Sequence, residues 1–168
     1  MALEIISIGS SSAGNSYIVK AGNINLLLDV GLSCKAIVAA LEDCGLAPED
    51  VHGVLITHEH GDHVKSVRAI AKKCCNAEFF ASRGTISATP NFAFVPEERI
   101  NIVDGETVIE IGDARIDCFD LSHDAREPIG YSIAADGERV TVITDTGIVT
   151  DRIFNQMLES DVLVFEAN

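Results

Sequence analysis

Leu3 to Ile8 is an apolar-rich stretch that reads as a strand, and the polar run Gly9-Ser10-Ser11-Ser12-Ala13-Gly14-Asn15-Ser16 ends it with turn formers. Tyr17 to Lys20 and Ile24 to Leu28 form a predicted hairpin around Gly22-Asn23, and the second strand runs into Asp29-Val30-Gly31. Ser33 is a suitable N-cap and Gly45 a suitable C′ residue. Between them Ile37, Ala40, Leu41 and Cys44 recur at helical spacing, and Pro48 marks the exit. Val51 to Thr57 then predicts a short buried strand. After the polar cluster His58-Glu59-His60-Gly61-Asp62-His63, the positions Val64, Val67, Ile70, Ala71 and Cys74 predict one further helix.

From Ile100 onward the period shortens to two. Ile100 to Val103, Val108 to Ile111, Ala114 to Leu121, Ile129 to Ala134 and Val140 to Thr144 read as strands of a largely antiparallel meander, with a turn at Gly105. Thr150 or Asp151 caps a helix carrying Ile153, Phe154, Met157 and Leu158, and Val162 to Phe165 is a last strand. This order predicts an α/β protein with helices covering a mixed sheet. The final strand is followed only by Glu166-Ala167-Asn168, with no covering helix, so it reads as an edge or a cut end and the chain as a fragment.

At 168 residues, with 47% hydrophobic and 23% charged positions, the composition is that of a folded domain rather than a disordered or fibrous chain. No apolar run approaches the roughly 20 residues of a membrane span. The first basic residue is Lys20, which leaves no charged start for a signal peptide. The expected location is the cytoplasm, with no membrane partner; the oligomeric state is not legible. Lys and Arg number 12 against 26 Asp and Glu, a net charge of −14, and no basic stretch of nucleic-acid-binding length occurs. The charge weakens a nuclease reading without excluding it, because placement around bound cations matters more than the sum. The cysteines Cys34, Cys44, Cys74, Cys75 and Cys118 form no C-x-x-C pair, and an odd number predicts reduced thiols that act as small apolar residues.

The histidine cluster is the feature that carries chemistry. His58 and His60 leave an extended backbone on the same side, and Asp62 and His63 follow across an expected tight turn at Gly61. Neutral imidazole and carboxylate suit zinc, manganese or iron, and the absence of cysteine from the cluster argues for an open rather than a closed structural site. His123 and Asp145 each follow a predicted strand end, where ligands are commonly displayed. Ser10, Ser11, Ser12 and Ser16 lack a local base motif and read as turn residues rather than nucleophiles; backbone N–H groups of Ser12 to Ser16 offer a phosphate only a generic cradle.

These motifs resemble the metallo-β-lactamase fold hydrolases. The H-x-H-x-D-H signature is His58 to His63, Leu28-Asp29-Val30-Gly31 is similar to the early Asp motif, Leu121 to Ala125 to the second histidine motif, and Thr144 to Gly147 to the bridging-aspartate motif. Gly9 to Ser16 and Ser122 to Tyr131 look most like the bacterial YycJ-like branch, associated with 5′-to-3′ exonuclease activity. The resemblance implies an αββα sandwich of which residues 1–168 supply the N-terminal half and part of the second. It implies one divalent ion on His58, His60 and His123 and another on Asp62 and His63, with Asp145 bridging, Asp29 supporting, and Asp62 and Asp145 taking part in catalysis. The branch expects Asn-His-Asp where this chain reaches Asn168. His52, in a distant strand, cannot replace that histidine, so the domain is expected to be incomplete at its C-terminus.

The implied cofactors are two ions, Zn²⁺ or Mn²⁺. Water acidified between two cations is the implied nucleophile, giving a dinuclear phosphodiesterase or exonuclease with a nucleic-acid substrate. The alternatives are a metallo-hydrolase of another ester, thioester or amide, and a metal-binding fragment without activity.

Overall fold

In the computed structural model, which describes residues 3–166, β1 (Glu4–Gly9), β2 (Ser16–Ala21) and β3 (Ile24–Leu28) pair antiparallel. Gly22 joins β2 to β3 at φ 62°, a conformation that costs little without a Cβ. β3 continues in parallel register with β4 (Gly53–Leu55), then β5 (Glu78–Ser82) and β6 (Ile100–Val103). β7 (Val108–Ile111), β8 (Ala114–Asp120), β9 (Ile129–Ala135) and β10 (Glu138–Ile143) form a second, antiparallel sheet. β11 (Val162–Phe165) joins its edge parallel to β10.

Two sheets therefore stand where the pattern alone suggested one mixed sheet, and Ile100–Val103 does not open the meander. It lies in the first sheet because Phe79 to Ser82 offer it a parallel partner. β5 itself is not revealed by periodicity: Phe79, Phe80 and Ala81 are all buried, and a strand covered on both faces loses its alternation.

The sheets pack face to face through Val19, Leu26, Leu28, Ile116, Tyr131, Ile133 and Val142. The outer face of the first sheet, with Ile18, Leu27, Val54 and Phe79, is covered by α1 (Cys34–Asp43) and α3 (Val67–Lys73). A ten-residue helix is marginal alone. α1 is held by burial of Ile37 and Leu41, each contributing about 1.5–3 kcal/mol, and by Ser33 Oγ accepting the Ala36 N–H at 3.2 Å. α4 (Arg83–Ala88) follows β5, and α5 (Asp151–Leu158), with its N-cap at Thr150, seats Ile153 against Phe119, Leu121 and Ile143 of the second sheet.

The second predicted helix is broken into α2 (Gly61–Val64) and α3. Ser66 diverts its backbone N–H to Val30 O at 2.9 Å and its hydroxyl to Leu32 O at 2.5 Å, which pins the break against the segment after β3. Gly61 is no tight turn; it begins α2 after His60, and open space surrounds the position of a Cβ there. Cys74 and Cys118 are buried, and burial pushes both thiols up to about 12; Cys34 and Cys44 are half-buried and Cys75 is exposed. No helix among the described residues is long and apolar enough to cross a membrane. β11 leaves Val162, Leu163 and Phe165 exposed, and Asn168, where the branch motif was expected, lies outside the described residues.

Candidate metal centre

The centre lies where the C-terminal ends of β3, β4, β8 and β10 meet. Ile129 N–H donates to Thr57 O at 2.9 Å and the Tyr131 hydroxyl to Ile56 O at 2.8 Å, so the second sheet grips the segment that leads into the histidines. Gly130 makes room for the Phe119 ring of the neighbouring strand β8, from which a Cβ would lie 2.3 Å away. Glu59 Oε1 accepts the Arg126 N–H at 2.8 Å and draws in the loop carrying His123. Gly147 N–H donates to Ser122 O at 2.7 Å, tying the His123 loop to the Asp145 loop.

Two aspartates turn the chain at the strand ends in left-handed conformations, Asp29 at φ 55° and Asp145 at φ 54°. Such values are uncommon outside glycine, though Asp tolerates them best together with Asn. Asp29 is completely buried. Its Oδ1 accepts the Thr57 N–H and its Oδ2 the Thr57 hydroxyl, both at 2.8 Å, and Oδ2 lies 2.7 Å from His63 Nδ1. Thr57 Oγ1 also lies 3.0 Å from His58 Nδ1. The Nδ1 atoms of His58 and His63 are thus engaged behind the site, which leaves each Nε2 facing it.

His60 Nδ1 lies 3.1 Å from His58 Nε2 and 3.2 Å from His123 Nε2. Nitrogens bound at about 2.0–2.1 Å around one tetrahedral ion stand roughly 3.3 Å apart, so this donor set fits a divalent metal. A second group joins His58, His63 and Asp145: Asp145 Oδ2 is 3.0 Å from His63 Nε2 and 3.7 Å from His58 Nε2, and His58 is common to both groups. Asp62 stands at the margin, its Oδ2 3.6 Å from His63 Nε2. All six residues expected as ligands therefore border one space, while exposed His52 is remote, its Nδ1 accepting the Asn25 N–H at 3.1 Å.

Electrostatics separates two buried imidazoles. Burial, reinforced by the charge of His63, depresses His58 to about 4 and keeps it neutral, the form that ligates metal. Burial also opposes charge on His63, but the Asp29 charge and hydrogen bond, with Asp62 and Asp145, outweigh it and raise His63 to about 9.

Asn15 and Thr57 enter the site without having been singled out in the sequence. Asn15 is buried; its amide nitrogen is 3.2 Å from Asp62 Oδ2 and 3.1 Å from His63 Nε2. Asn15 lies within an apparent turn, and nothing in a Ser-rich run marks one amide as aimed at a histidine 48 positions ahead. Beside these groups opens a cavity of about 450 Å³ lined by Ser11, Ser12, Asn15, Asp62, Asp145, Phe165 and Glu166.

The profile of the beta-lactamase superfamily domain matches residues 25–168. The chain is 34% identical over 169 residues to the exodeoxyribonuclease YycJ of Bacillus anthracis, covering all of this chain and 64% of that protein. It is also 34% identical over 164 residues to the exodeoxyribonuclease WalJ of Streptococcus pneumoniae, covering 96% of this chain and 61% of that one. It thus spans less than two thirds of the length of these relatives. A Zn²⁺-bound PqqB from Methylobacterium extorquens has a similar fold, with a TM-score of 0.77 at 16% identity over 96% of this chain and 72% of that one.

Proposed function

Because the chain belongs to the beta-lactamase superfamily domain family, we propose that it is a metal-dependent phosphodiesterase that removes nucleotides from a nucleic-acid 5′ end. The observation that carries this reading is the meeting of two donor sets at His58, with Asp145 Oδ2 within reach of both His58 and His63. The similarity to exodeoxyribonucleases along the whole chain supports the substrate class. In this reading residues 1–168 belong to one metallo-β-lactamase domain, acting in the cytoplasm with Zn²⁺ or Mn²⁺.

His58, His60 and His123 would hold one ion, Asp62 and His63 the other, and Asp145 would reach both. When bound, the ions would supply positive charge to a phosphoryl oxygen and lower the pKa of water to about 7. Asp29 retains the proton on His63 Nδ1 and so directs Nε2 into the site. Thr57 engages His58 Nδ1 to the same end. Asp62 and Asp145 border the cavity, placed to accept a proton from the attacking water.

One observation favours a second reading, hydrolysis of another ester, thioester or amide: the cavity is bordered by Asp62, Asp145 and Glu166 and by no Lys or Arg. Assays of the chain with Mn²⁺ and with Zn²⁺ on 5′-labelled single- and double-stranded DNA and RNA, beside a thioester and a lactam, separate the two. Release of nucleotides from the 5′ end is expected. Intact nucleic acid together with rapid thioester or lactam cleavage would overturn the nuclease reading.

A further inference from the structure

We propose that Asn15 is the positioning residue for the second cation: its amide sets the Asp62 carboxylate toward His63 and Asp145. The inference rests on the two-cation reading and assigns a task to the Ser-rich loop that the reading leaves idle.

The orientation of the amide is determined from behind. Ser11 N–H donates to Asn15 Oδ1 at 3.1 Å, and Asn15 Nδ2 donates to Ser11 O at 3.2 Å. With the carbonyl oxygen committed to a donor, a flipped amide would set N–H against N–H, so nitrogen rather than oxygen faces the site. The remaining N–H faces both Asp62 Oδ2 at 3.2 Å and His63 Nε2 at 3.1 Å, and so ties the carboxylate to the imidazole. A hydrogen bond to a carboxylate is stronger than one between neutral groups, and burial of Asn15 removes competing water.

The backbone makes the same connection. Asn15 N–H donates to Asp62 O at 2.7 Å, and Asn15 O accepts the Gly31 N–H at 2.9 Å. Gly14 and Gly31 allow the three segments to meet: a Cβ on Gly14 would lie 2.7 Å from Gly31 O, and one on Gly31 would lie 1.5 Å from Asp62 O. Asp62 is partly exposed and has no hydrogen bond to Asp29 or Thr57 comparable to the one that holds His63. Asn15 supplies the orientation that those residues give to the histidine.

The test is a titration of the metal-free 168-residue chain with Co²⁺, followed by its visible absorption, in parent, Asn15→Ala and Asn15→Ser. Serine is a turn former native to this loop but too short to reach Asp62, and it serves where alanine impairs folding. The parent is expected to bind in two steps. Both variants should retain the first and weaken the second by roughly 10–100-fold, the range for losing a partner of a metal ligand. A parent with one step overturns the two-cation reading and this inference with it. Two unchanged steps in both variants overturn the inference and leave the reading intact, and equal weakening of both steps would reduce Asn15 to a structural residue and overturn it as well.

Discussion

His63 Nδ1 and Asp29 Oδ2 face each other at 2.7 Å with both side chains sealed from water. The pair joins the end of β3 to the helical turn after β4, so Asp29, from behind the space that Nε2 faces, governs how the His63 ring is presented. Replacing Asp29 by Asn keeps the volume and removes the charge. Metal affinity measured by chelator competition is expected to fall roughly 10–100-fold in Asp29→Asn; undiminished affinity would remove Asp29 from the support of the site.

Asp145→Ala should act differently, because it deletes the one carboxylate of the second donor set, the group that faces both His58 and His63. Loss of turnover and of one equivalent of bound metal is expected, measured by hydrolysis assay and elemental analysis. An Asp145→Ala chain with two ions and full turnover would refute a two-cation mechanism.

The metal-free chain should show a stability maximum near pH 6.5. His58, at about 4 when folded and about 6.5 when unfolded, contributes stability above 6.5 that is lost as pH falls toward 4. His63, raised to about 9, contributes stability below 6.5 that is lost as pH climbs through 9. Melting temperatures of chelated protein between pH 4 and 9.5 test both limbs, and a profile rising steadily through pH 9 would contradict the role of His63.

Gly31→Ala is expected to damage fold and site together. The new methyl would overlap Asp62 O, a backbone atom that cannot swing aside, so the segment bearing Asp62 and His63 must shift. Urea unfolding should show a loss of about 1–3 kcal/mol or more, typical of overpacking, and a parallel loss of metal affinity. A variant with parent-like unfolding would show that the loops are less closely locked than the packing at Gly31 implies.

Much of the fold was legible because turn and cap residues bound its apolar runs, even where a strand such as β2, β3 or β9 is buried on both faces. α1 and the strands β7 and β8 carry the period of their geometry, and the Ser33 and Thr150 caps are visible as residue types. β5 was hidden by burial on both faces, and the break between α2 and α3 by Ser66, whose bonds to Val30 and Leu32 depend on a segment far away in sequence. In the site, His58 to His63 stood out as a cluster, while His123 and Asp145 gained weight from it. Thr57 and Asn15 act through one hydroxyl and one amide on polar segments, where local sequence holds no trace of a distant partner.

The hydrogen bond from Ile129 to Thr57 joins the two sheets beside the histidines, and His123 approaches His60 from 63 positions further along the chain. Neither sheet owns the centre. Local hairpins can close early, but a three-histidine pocket exists only after the two halves have docked, a slow, non-local step in chain assembly. Metal capture would therefore mark the moment of that docking. Ions present during refolding would find an unfinished pocket first and bind tightly only at the end, acting as a latch that slows the sheets from parting.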